Sequence, residues 1–123
     1  MMQDEKDRLL ALFEDASRWC QSVEARDKRG NPVHYNDATA TAWDVVGGLC
    51  FLFGWDRACR LFVQVGQQVT GLKRGHGLRN REMAAMASLQ DFNDKRDTTF
   101  DLVVERLRDI RVYSRKVASL AGS

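Results

Sequence analysis

The sequence predicts an all-α fold: a single helical domain over residues 1–123, a bundle of about five helices with a central apolar helix. Three observations predict it. Apolar side chains recur at spacings of three and four through most of the chain. Glycines, the single proline and an Asn-Asp pair mostly punctuate the intervals between those stretches. The composition, 44% apolar and 29% charged with 19 basic and 17 acidic groups for a net charge of +2, is that of one soluble globular domain, which excludes disordered and collagen-like chains.

From Asp4 to about Ser22, the residues Leu9, Leu12, Phe13, Ala16, Trp19, Cys20 and Val23 share one face of an amphipathic helix. Asp4, Glu5 and Asp7 suit the positive end of its dipole. Between Glu24 and Asn36, charges, Gly30 and Pro32 force a turn, with room for a short extended excursion around Val33. Asp37 or Thr39 caps a second helix that runs to about Phe53. It is apolar on nearly every side after Asp44, which places it at the centre. Gly47 and Gly48 each cost this helix about 1 kcal/mol relative to Ala, which close approach by another helix would offset.

Gly54 ends the second helix and Asp56 opens a third, antiparallel to it, that continues to about Val69 with Ala58, Cys59, Phe62, Val65 and Gly66 inward. A basic glycine loop, Gly71 to Leu78, leads to a short helix, Arg79 to Gln90, with Met83, Met86, Ala87 and Leu89 inward. Asp91 to Asp97 has no helical period and reads as an Asn-Asp turn. The last helix starts at Asp97 or Thr98, where Thr98 and Asp101 are set like a capping box. Its face of Phe100, Val103, Val104, Leu107, Ile110, Ser114 and Val117 carries it to about Leu120.

Several chemistries are excluded by what the residues lack. Cys20, Cys50 and Cys59 form no C-x-x-C pair and lie in apolar stretches, so they read as reduced, buried thiols. His34 and His76 have no second ligand at zinc spacing. No serine has a nucleophile-elbow setting. Asp91, Asn93 and Asp94 begin like a calcium loop, but Lys95, Arg96 and Leu102 occupy positions that such a loop needs for ligands and glycine. The Gly71 to Leu78 loop has glycines and cations but no P-loop spacing. No cofactor and no metal are therefore expected. The N-terminal residues lack the pattern of a secretory signal and the apolar run from Trp43 to Trp55 is too short to span a bilayer, so the expected compartment is the cytoplasm.

Residues 1–62 carry 8 basic and 10 acidic groups, net −2, and residues 63–123 carry 11 and 7, net +4. Part of the basic surplus, Arg108, Arg111 and Arg115, falls on one face of the last predicted helix, where it could meet phosphates. Glu105 and Asp109 beside it favour a solvated face. Trp19, Trp43 and Trp55 lie at apolar-face or helix-end positions and read as core.

Two segments carry a resemblance. Ala25-Arg26-Asp27 with Gly30, Pro32 and Val33, then Ala42-Trp43 followed by Gly47, Gly48 and Leu49, form the first. Asn93-Asp94 with Thr98 or Thr99 and Val103 before a closing amphipathic helix form the second. Together, over about residues 12 to 110, they resemble a family of small helical proteins of unknown function, common in actinobacteria and their phages. The chain departs from that pattern at Asp44, where the family often has Cys, and at Phe92, where it often has Trp. The resemblance implies an all-α fold and a mobile-element or phage setting, and it carries no catalytic residues.

The favoured functional reading is a non-enzymatic interaction module in which a helical face or the Gly71 to Arg81 loop meets a protein partner or a second copy of itself. The alternative is a small-ligand-binding or enzymatic domain using the Asp91 to Asp97 loop, with Asp91, Asn93 and Asp94 converging on Arg79 or Arg81. A third reading is weak nucleic-acid binding through Arg108, Arg111 and Arg115.

Overall fold

The computed structural model describes residues 1–71 and 78–113, the side chains of residues 78–80 excepted. Helix α1 (Gln3–Leu12) is secured at its first turn by Glu5, which accepts from the Met2 backbone N–H at 2.8 Å and pairs with Arg57 at 2.7 Å. The helix stops ten residues short of the expected end at Ser22. Asp15 accepts the Ser17 N–H at 3.0 Å and starts a separate 3₁₀ turn, Ala16–Arg18. Short polar side chains offer the backbone such local alternatives to a helix. Beyond the turn, Cys20 N–H donates to the Trp43 carbonyl at 3.1 Å, so the residues that continued the apolar period lie in extended chain.

Two short strands correct the all-α expectation. β1 (Ala25–Asp27) and β2 (Ala40–Trp43) pair antiparallel, Ala25 opposite Trp43 and Asp27 opposite Ala40, with an irregularity between Arg26 and Asp27. Asp27 closes the turn after β1 by accepting the Arg29 and Asn31 N–H groups, each at 2.9 Å, and Gly30 supplies the positive φ of +85°. Val33 N–H then donates to the Ala25 carbonyl at 3.1 Å, in keeping with the extended excursion expected there. Asp37 does not cap a helix: it binds the Thr39 N–H and hydroxyl at 2.8 and 2.6 Å, in a turn that feeds β2.

Helix α2 (Val45–Phe53) is capped by Asp44, whose carboxylate accepts the Gly47 N–H at 2.5 Å. The run Val45 to Cys50 is buried, as a helix apolar all round should be, but Phe51 is 41% exposed. Gly47 and Gly48 do admit close neighbours. At Gly48 these are Leu12 and Phe13 at the end of α1, the helix approach expected, whereas at Gly47 the neighbour is the Glu24 carbonyl just before β1. Gly54, with φ +78°, joins α2 to helix α3 (Trp55–Thr70), which Gly71 ends in the left-handed conformation at φ +72°.

Helix α4 (Leu78–Asp94) continues past the expected end at Gln90, so Asp91 to Asp94 are helical. Its buried residues are Ala85, Leu89 and Asn93, with Met86 packed against the core as expected and Met83 and Ala87 on the exposed side. Ala85 lies against Gly66, and Ser88 Oγ is 2.7 Å from Thr70 Oγ1, so α3 and α4 run in the same general sense. Helix α5 (Phe100–Arg108) starts later than expected: Thr99, not Asp97 or Thr98, accepts the Leu102 N–H, at 3.2 Å. It also ends earlier, because the Lys6 ammonium takes the Arg108 and Ile110 carbonyls at 2.5 and 2.9 Å and Ile110 turns into the core. The expected continuation through Ser114 to Leu120, and residues 72–77 of the glycine loop, lie outside the described residues.

The chain is thus mostly helical with a small two-stranded sheet. One continuous hydrophobic cluster draws on all five helices and both strands. No helix among the described residues is long and apolar enough to cross a membrane.

Candidate functional site

Asn93 and Asp94 end α4 and sit where three segments meet. Asn93 is fully buried, and each of its side-chain groups is bonded. Its Oδ1 accepts the Trp19 indole N–H at 2.7 Å and the Val45 backbone N–H at 3.1 Å; its Nδ2 donates to the Cys20 carbonyl at 3.0 Å and to Asp94 Oδ1 at 2.9 Å. Val45 is the first residue of α2, so Asn93 satisfies one of the amides that a helix start leaves unpaired. Asp94 Oδ1 also accepts the Ser22 N–H at 2.8 Å, where Ser22 holds a φ of +74°. Gln21 closes the arrangement by donating to the carbonyls of Asn93 and Lys95 at 2.9 and 3.1 Å. The pair therefore clasps residues 19–22 and the start of α2 to the end of α4. Its partners are distant in sequence, where an Asn-Asp turn was expected.

Asp44 lies beside this clasp, 3% exposed. Burial pushes its carboxyl up to about 7 against the opposing pull of the Gly47 N–H, and the nearby Asp94 and Glu24 carboxylates push in the same direction. The thiols are equally shielded. Burial pushes Cys20 and Cys50 up to about 12 and raises Cys59 as well, so none is poised as a nucleophile. All three are free and buried. His34 accepts the Asn36 N–H through Nδ1 and stacks against Tyr35. No group of three or more His, Cys, Asp or Glu residues could hold a metal ion among the described residues.

The other expected site residues are not brought to the clasp. Asp91 lines a cleft of about 560 Å³ with Gln68, Ser88, Lys95 and Arg106. Arg81 lines another, of about 400 Å³, with Arg57, Arg60 and Glu82. Ten residues of one continuous helix separate Arg81 from Asp91, roughly 15 Å along its axis, so Arg81 does not converge on the Asn-Asp pair. The Arg79 side chain lies outside the described residues. Of the arginines expected on one helix face, Arg108 and Arg111 do not share a helix. Arg108 is the last residue of α5, Arg111 lies beyond it with its backbone held by Gln64 and Gln68, and Arg115 lies outside the described residues.

Two features that the sequence did not single out are prominent. The first is a cleft of about 630 Å³ between residues 17–20 and the β1–β2 hairpin, lined in part by Arg18, Arg26 and Lys28. The available signal was four cations, Arg18, Arg26, Lys28 and Arg29, around one hairpin, but without the strands nothing gathered them. The second is an aromatic corner at the α2–α3 junction. Trp43 is core, 5% exposed, and donates its indole N–H to the Tyr35 carbonyl at 3.0 Å, while Phe51 stacks on it at 4.6 Å. Trp55 packs edge-on to Phe62 at 6.1 Å yet is 47% exposed, which corrects its reading as core.

No known protein family, no curated protein and no solved structure matches the chain.

Proposed function

We propose that this chain is a non-enzymatic interaction module that pairs with a second copy of itself through the aromatic corner at Phe51 and Trp55. The observation that carries the reading is the half-exposed state of these two large side chains on either side of Gly54. Aromatic side chains are favoured in the buried centres of interfaces. A two-fold interface needs a self-complementary patch. Asp56 and Arg60, exposed and one helical turn apart beside Trp55, supply one acid and one base that can meet their opposites on the other copy. The helices, arranged as a bundle about α2, provide a stiff frame for that corner.

The internal bonding of Asn93 and Asp94 and the high pKa values of the cysteines favour this reading over an enzyme. Sedimentation velocity across a concentration series tests it. Concentration-dependent dimers, weakened at least about tenfold by Trp55→Ala with an unchanged far-ultraviolet spectrum, are the expected result. A chain that stays monomeric at millimolar concentration, or dimers indifferent to Trp55→Ala, would overturn it.

A further inference from the structure

We propose that the cleft between residues 17–20 and the β1–β2 hairpin is a nucleotide-binding site, taking a mononucleotide whose phosphates meet Arg18, Arg26 and Lys28. At about 630 Å³ it falls within the size range of small-molecule sites. Its lining joins two chemistries that such a ligand needs. The partly exposed Trp19 and Ala40, backed by the buried Trp43 and Ala42, give an apolar wall for a base, and the lining has three cations to one carboxylate, Asp27.

Asp27 is already committed. Its oxygens accept the Arg29 and Asn31 N–H groups, and these bonds, the Asn31 N–H first, hold its pKa below the ordinary value. It therefore stays ionised and offsets one of the three cations, so the cleft lining keeps a net positive charge. Arg26 is fixed in place: its guanidinium donates to the Gly30 carbonyl at 2.9 Å and the Gln21 carbonyl at 3.1 Å, which leaves the remainder of its five N–H donors for an anion. Arg18 and Lys28 are exposed and in no salt bridge, the Arg57–Glu5 pair being the one formed among the described residues. Arg26 thus forms a fixed anchor, and the exposed Arg18 and Lys28 supply the further cations for the phosphates. The site is independent of the aromatic corner, and neither proposal depends on the other.

Isothermal calorimetry on the whole chain at fixed ionic strength tests this, using adenosine and guanosine triphosphates and monophosphates, the free nucleosides and tripolyphosphate. The expected result is saturable binding of at least one nucleotide with Kd below about 1 mM. The nucleoside and tripolyphosphate should each bind at least about tenfold more weakly than that nucleotide, and the Arg18→Ala/Lys28→Ala double variant should weaken nucleotide binding by at least about tenfold. Both replaced side chains are exposed, so the variant should keep the wild-type melting temperature. No saturable heat with any nucleotide, tripolyphosphate binding as tightly as the nucleotides, or affinity unchanged in the double variant would overturn the proposal.

Discussion

Burial raises the Asp44 carboxyl to about 7, so between about pH 4 and pH 7 the folded chain holds a proton that the unfolded chain has released. The stability that this group contributes is complete below about pH 4 and is lost as pH rises through 7, on the order of 4 kcal/mol across the window. Glu5 acts in the opposite sense. The Arg57 hydrogen bond lowers it to about 2, so its contribution is present above about pH 4.5 and is lost as pH falls toward 2. Urea midpoints should therefore be higher at pH 5 than at pH 8. Asp44→Asn should keep the cap on Gly47, remove most of that difference and raise stability at pH 8; an unchanged pH 5 to pH 8 slope in the variant would contradict the assignment. The same burial predicts that a thiol reagent at pH 8 labels none of Cys20, Cys50 and Cys59 in the native chain and all of them in urea.

At the scale of elements, Gly47 is the tightest junction. A Cβ there would overlap the Glu24 carbonyl oxygen and reach 2.9 Å from Asp44 Oδ1, with backbone that cannot easily yield. Gly47→Ala should cost about 3 kcal/mol by overpacking, whereas Gly66→Ala, whose Cβ would meet Ala85 Cβ at 3.2 Å, should cost less; thermal melts of the two variants give the order. Helices α3 and α2 were legible because long apolar runs ended at glycines that do hold positive φ. The first helix was over-extended because its 3.6-residue period survives through Trp19 and Cys20, whose burial is satisfied in extended chain against β2. β2 itself was hidden: its four residues, Ala-Thr-Ala-Trp, join smoothly onto the apolar run of α2, and only pairing with Ala25 to Asp27 distinguishes them.

Across the whole molecule, the sequence located the Asn93-Asp94 pair but could not say what it touches. Its partners lie 48 to 74 residues away in the chain, at Trp19, Cys20, Ser22 and Val45, and no periodicity encodes such contacts. The cationic cleft and the aromatic corner escaped for the same reason, since each depends on how distant segments meet. Asn93 is the link that holds the 19–22 segment and the start of α2 to the end of α4. Equilibrium urea unfolding of Asn93→Ala, followed by tryptophan fluorescence, tests it most directly. Two buried N–H donors, from Trp19 and Val45, lose their acceptor, so the variant should lose about 3 kcal/mol and shift the emission of the half-buried Trp19. A loss below about 0.5 kcal/mol, with native emission intact, would contradict the account.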